Sequence, residues 1–71
     1  MTNEKSQIDI GRLLELITSQ DYSIEQQNFL IGLPHSYLYQ ILNKKKKNLK
    51  SSTLIKLANY YGVTVDYLLG R

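Results

Sequence analysis

Apolar residues recur along this chain at three- and four-residue steps, broken by glycines and short polar runs. Ile10, Leu13, Leu14 and Ile17, with Leu16 at the edge, make one such stripe and predict a first helix over residues 8–19. Gln20, Asp21 and Tyr22 form the connection. Ser23 then stands as an N-cap, with Gln26 three residues on in the capping-box arrangement. Gly32 ends this second helix, since glycine enters the left-handed conformation without a side-chain clash. Pro34 follows, and proline is tolerated in a helix's first turn, so a third helix is predicted over residues 34–43. Two short helices about a glycine turn make a compact corner.

The third helix divides by chemistry. Leu38, Ile41 and Leu42 fall on one face, whereas His35, Ser36, Tyr39, Gln40 and Asn43 fall on another. A helix of this kind buries one side and offers donors and acceptors on the other. A basic, polar loop is expected over residues 44–50. Ser51 or Ser52 should cap a fourth helix striped by Leu54, Leu57, Ala58 and Tyr61 and stopped by Gly62. Thr64 should cap a last short helix carrying Val65, Leu68 and Leu69, ended by Gly70. No strand pattern competes. The expected fold is all-α with five helices, one domain over residues 8–71 behind a polar, flexible segment 1–7.

Composition removes several classes of chemistry. Without cysteine there are no disulfides, thiolate metal sites or thiol nucleophiles. One histidine cannot form a histidine metal cluster, and the six carboxylates show no pairing suited to acid–base work. No cofactor, metal or catalytic residue is expected. Neither a signal peptide nor a membrane-spanning run is evident, so a cytoplasmic protein is expected. Charge is more informative in its placement than in its total of +3. Residues 26–65 contain no Asp or Glu, yet hold Lys44, Lys45, Lys46, Lys47, Lys50 and Lys56. One-sided charge of this kind attracts polyanions.

The glycine turn at Gly32, the Ile41-Leu42-Asn43 end of the third helix and the run TLIKLANYYGVTVDYLLG (residues 53–70) resemble the lambda-repressor-like, Cro/repressor-type helix-turn-helix family. The resemblance covers about residues 10–70. It implies that His35, Ser36 and Gln40 meet base edges in the major groove of DNA. Ser23, Pro34, Tyr37, Tyr39 and Asn43 become candidates for backbone or flanking contacts, although Tyr37 is weighed chiefly as a packing residue. Physical chemistry agrees. A major groove about 12 Å wide admits one helix, glutamine can bond adenine bidentately, and serine is less selective. Lys44, Lys45, Lys46 and Lys47 would neutralise phosphates and release counterions. By default, His35 would be an exposed histidine and the lysine run a solvated loop. Tyr60 and Tyr67 are expected as partial core or a dimer surface.

The chain also departs from that pattern. Ile24 stands where the family usually has a phosphate-directed Gln, and Gln27-Asn28 replace the usual Leu-Ala pair. Phe29, Leu30 and Ile31 carry the apolar weight instead, so either this helix is rotated or Phe29 and Leu30 are exposed. Ile17 and Leu42 stand where many members place an Arg–Glu pair and are expected to touch, the loss of the pair being offset by the loss of its desolvation cost. The resemblance implies a transcriptional regulator of phage, plasmid or mobile-element type, a repressor binding a palindromic operator as a homodimer. Pairing would then use the fifth helix and its neighbours, or the chain is one part of a longer regulator. The alternative is an interaction module that kept the fold and lost DNA reading, such as an antirepressor or toxin partner.

Overall fold

Asp9, not Ile8, starts the first helix. Its carboxylate accepts from the Arg12 N–H at 3.2 Å, and α1 runs Ile10–Thr18. Ile8 lies outside the helix and is buried in the core. Then come α2 (Ile24–Ile31), α3 (Tyr37–Leu42), α4 (Ser51–Tyr61) and α5 (Val65–Leu68). The computed structural model describes residues 5–46 and 48–71. Residues 1–4 of the expected flexible segment, and Lys47 among the expected phosphate contacts, lie outside the described residues.

The five helices are those the periodicity predicts, but their stripes are trimmed. Leu13 and Ile17 of α1, Leu38 and Ile41 of α3, Leu54, Leu57 and Ala58 of α4 and Leu68 of α5 form one apolar core. Leu14 faces solvent, while Ile10, Leu16, Ile24, Ile31, Leu42, Tyr61 and Leu69 pack on the core's margin. Ile17 is thus in the core against which Leu42 packs.

Two short strands were not expected. Lys5–Gln7 (β1) pairs antiparallel with Asn48–Lys50 (β2), Lys5 opposite Lys50 and Gln7 opposite Asn48. Three residues are too few to show a period-two pattern, and Leu49, the one apolar residue among these six, is buried in the core. Lysine at position 50 then serves as the N-cap of α4, without a side-chain cap bond; neither Ser51 nor Ser52 takes that role. The strand delivers the chain straight into the helix, leaving no turn for a serine to cap.

Chain ends are tied together. The Asp9 N–H donates to the Leu68 carbonyl at 2.8 Å, and Arg12 Nη1 donates to the Tyr67 carbonyl at 3.0 Å. The same guanidinium lies 4.5 Å from the Tyr67 ring centroid, a cation–π contact. A cation at the C-terminal end of α5 also complements the helix dipole. Thr64 caps α5 as expected, its hydroxyl accepting from the Tyr67 N–H at 3.0 Å.

Ser23 caps α2 as expected, accepting from the Gln26 N–H at 3.1 Å. Gly32 ends that helix with φ +88°, and the Leu33 N–H returns to the Asn28 carbonyl at 3.1 Å. A Cβ added at Gly32 would meet nothing within 4 Å. Replacing Gly32 by Ala is therefore expected to cost about 1 kcal/mol through backbone strain alone, measurable as a lowered urea midpoint at unchanged m-value.

Candidate nucleic-acid interface

The polar edge is built differently from the predicted helix over residues 34–43. Tyr37 is the first helical residue, and Pro34, His35 and Ser36 form a turn closed by the Tyr37 N–H on the Pro34 carbonyl at 3.1 Å. Ser36 sits at the N-cap in the left-handed conformation, φ +61°, and its side chain makes no cap bond. A helix's first N–H groups need partners from outside it. Here the partner comes from α2. Asn28 Oδ1 accepts from the buried Leu38 N–H at 2.9 Å, while Asn28 Nδ2 donates to the carbonyls of Leu33 (3.2 Å) and Pro34 (2.8 Å). One side chain thus pins both ends of the turn, holding residues 34–36 out of the helix.

Gln27, its neighbour, anchors α2 to the rest of the domain. Its side chain has no solvent exposure and donates to the carbonyls of Ile17 (3.0 Å) and Tyr22 (2.8 Å). Its oxygen accepts from the Tyr61 hydroxyl of α4 at 2.6 Å. Burial, together with nearby Tyr60, pushes the Tyr61 phenol far above its ordinary pKa, so it remains a donor. The departure at positions 27–28 is therefore a buried, fully bonded polar pair, in keeping with the rule that buried polar groups are hydrogen-bonded. Since α2 turns that pair inward, Phe29 (77% exposed) and Leu30 (46% exposed) face solvent. Ile24 packs on the core's margin, away from a phosphate-directed role.

On α3 the exposed side chains are Tyr39 and, at the C-cap, Asn43; Gln40 is half-buried beside them. His35 and Pro34 are exposed on the preceding turn, and Ser36 is half-buried. The residues expected to read bases thus come from two kinds of backbone, His35 and Ser36 from a turn and Gln40 from the helix. Exposed Ser23 lies at the start of α2, its hydroxyl already bonded as a cap.

The lysine loop is tied to the end of α3. Lys44 takes φ +64°, and the N–H groups of Lys45 and Lys46 return to the Gln40 carbonyl at 2.9 and 3.2 Å. Lys46 Nζ lies 5.3 Å from the ring centroid of Tyr37, which is half-buried and packs on the core's margin. Beside this contact opens a groove of about 550 Å³, walled by Lys45, Lys46, Lys50 and Lys56 with Leu33, Pro34, Tyr37, Asn48 and Thr53. Among the described residues the ion pairs are Arg12–Asp9 and Arg71–Asp66, so these four lysines are uncompensated by carboxylate. Exposed Lys44 is not among the lining residues.

Four contributors were not singled out from the sequence. Lys50 and Lys56 join the groove through β2 and α4, and the acid-free span containing them was the available signal. Gln27 and Asn28 read as a break in the apolar pattern; their bonds to residues five to thirty-four positions away leave no local trace.

No described helix is long and apolar enough to cross a membrane. Comparison with curated proteins and with solved structures finds no significant match. A family model described as helix-turn-helix matches residues 13–68, from α1 to the end of α5. With most of its length so matched, and with α2, the Gly32 turn and α3 arranged as above, the chain belongs to the lambda-repressor-like helix-turn-helix family of DNA-binding domains.

Proposed function

We propose that this chain is a sequence-specific double-stranded DNA-binding regulator that represses transcription by occupying an operator. The observation that carries the reading is the exposed edge of α3 and its turn standing beside a groove of four lysines that have no carboxylate partner among the described residues. His35, Ser36 and Gln40 meet base edges in the major groove, and Tyr39 and Asn43, the more exposed pair, contact flanking bases or sugar–phosphate. Lys45 and Lys46, with Lys44 on the outside of the loop, sit against the backbone. Ser23 and Pro34 approach the same backbone from the start of α2 and from the turn. Two copies on half-sites about one helical turn apart would read a palindromic operator.

Selection from a random duplex library, followed by footprinting, tests this directly. A protected site with two symmetric halves is expected. Binding should weaken with salt at a log–log slope of roughly −4 to −5, corresponding to about four to six phosphate contacts. Gln40→Ala is expected to relax base preference at one position per half-site by about 1–3 kcal/mol of discrimination, read by repeating the selection.

A second reading has its own observation in Phe29 and Leu30, large apolar side chains left in solvent on α2. On that reading the fold serves as a protein-interaction module. Phe29→Ser separates the two. Under the repressor reading operator affinity changes less than about twofold, since α3 and the groove are untouched. Failure to bind any duplex at low salt would favour the interaction module.

A further inference from the structure

The groove has two unlike surfaces. Lys45, Lys46, Lys50 and Lys56 line it, all four exposed, and residues 26–65 offer no carboxylate to offset them. The other surface is apolar, made by half-buried Leu33 and Tyr37 with exposed Pro34. At about 550 Å³ the recess falls within the range of roughly 300–1,000 Å³ common to small-molecule sites. A duplex backbone brings phosphate to the lysines but nothing flat to the apolar surface, because its bases stay stacked inside the helix. A duplex therefore engages only part of what the groove offers.

Lys46 links the two surfaces. Its ammonium lies 5.3 Å from the centroid of the Tyr37 ring, and both residues line the groove. A cation–π contact at an exposed site is weak, so a phosphate can draw this lysine off the ring. The uncovered ring can then take a flat partner, and a base stacked on an aromatic side chain is the stronger contact. We propose that the groove binds a nucleoside polyphosphate, with phosphates among the four lysines and base on Tyr37, and that the bound nucleotide excludes duplex. Leu33 and Pro34 supply the apolar flank of the base. The exclusion rests on the duplex-binding reading above, whereas the nucleotide site does not.

The test is titration of the full chain, followed by NMR at low salt without divalent cations. Adenosine triphosphate is compared with inorganic tripolyphosphate, which has the same chain of phosphates, a larger charge and no base. Adenosine triphosphate is expected to bind about 5- to 100-fold more tightly, the range that one base–aromatic stack supplies, and to shift the Tyr37 ring resonances. Tyr37→Phe should keep that advantage and Tyr37→Leu should erase it. The comparison of the two anions on the unmodified chain stands whether or not Tyr37→Leu folds. Adenosine triphosphate should also displace a short duplex of random sequence. Equal affinity for the two anions, or an advantage that survives in folded Tyr37→Leu, overturns the inference. Simultaneous binding of nucleotide and duplex overturns the exclusion. Nucleotide binding with no duplex bound at low salt supports the site and sinks the duplex reading, and duplex binding without nucleotide does the reverse.

Discussion

Replacing Asn28 by Ala is expected to lower stability by about 2–4 kcal/mol, the cost of leaving a buried N–H and its carbonyl partners without hydrogen bonds. In a domain of 71 residues that corresponds to a fall in Tm on the order of 15 °C. The expectation follows from three contacts made by one buried side chain, to Leu38 N–H, Leu33 C=O and Pro34 C=O. Asn28→Asp provides the sharper comparison. It keeps an acceptor for Leu38 but turns a carboxylate toward two carbonyls, so it should not rescue. Equilibrium urea unfolding of both variants measures this, with duplex binding compared below both transitions. If either variant loses less than about 0.5 kcal/mol, the turn is not held by Asn28, and the start of α3 at Tyr37 needs another cause.

The second large effect is expected at the groove. Replacing Lys45 and Lys46 together by Gln should reduce duplex affinity about 10- to 100-fold near 0.1 M salt and make the log–log salt slope shallower by about 2. The loss should be nearly the same for every sequence, because phosphate contacts position the protein without reading bases. Both side chains are exposed and their loop is fixed by backbone bonds to Gln40, so the fold should be unaffected. Fluorescence anisotropy across a salt series, on selected and random duplexes, reports both numbers. An unchanged slope would move the phosphate contacts elsewhere, and a loss confined to the selected duplex would give these lysines a role in reading bases.

The two variants test different layers of one arrangement. Asn28 acts on how α3 is presented and Lys45 and Lys46 on what lies beside it. They meet at the groove, where Asn28 holds the carbonyls of Leu33 and Pro34 and the Gln40 carbonyl at the end of α3 takes the N–H groups of both lysines. A stable but weakly binding Lys45/Lys46 variant, together with an unstable Asn28 variant, would separate scaffold from contact.

Five helices, their order and most of the core were legible in the chain itself, because each signal is local. Leu54, Leu57 and Ala58 repeat at helical spacing, Ser23 and Thr64 are caps with partners three residues away, and Gly32 and Gly62 stop helices by their own backbone preference. The acid-free span with its lysines was equally visible, since net charge needs no fold to be counted. What the sequence could not decide depended on distant partners. The start of α3 moved from Pro34 to Tyr37 because Asn28 reaches across from α2, and Gln27 turned inward because a hydroxyl from α4 waited for it. Phe29 and Leu30 face water for the same reason, as a helix that buries its polar pair must expose what lies opposite. Likewise, Lys50 became part of a groove wall through β2, which pairs with β1, buries Leu49 in the core and leads into α4. Periodicity, caps and charge are properties of neighbours along the chain, whereas buried hydrogen bonds and strand register exist only once distant segments meet.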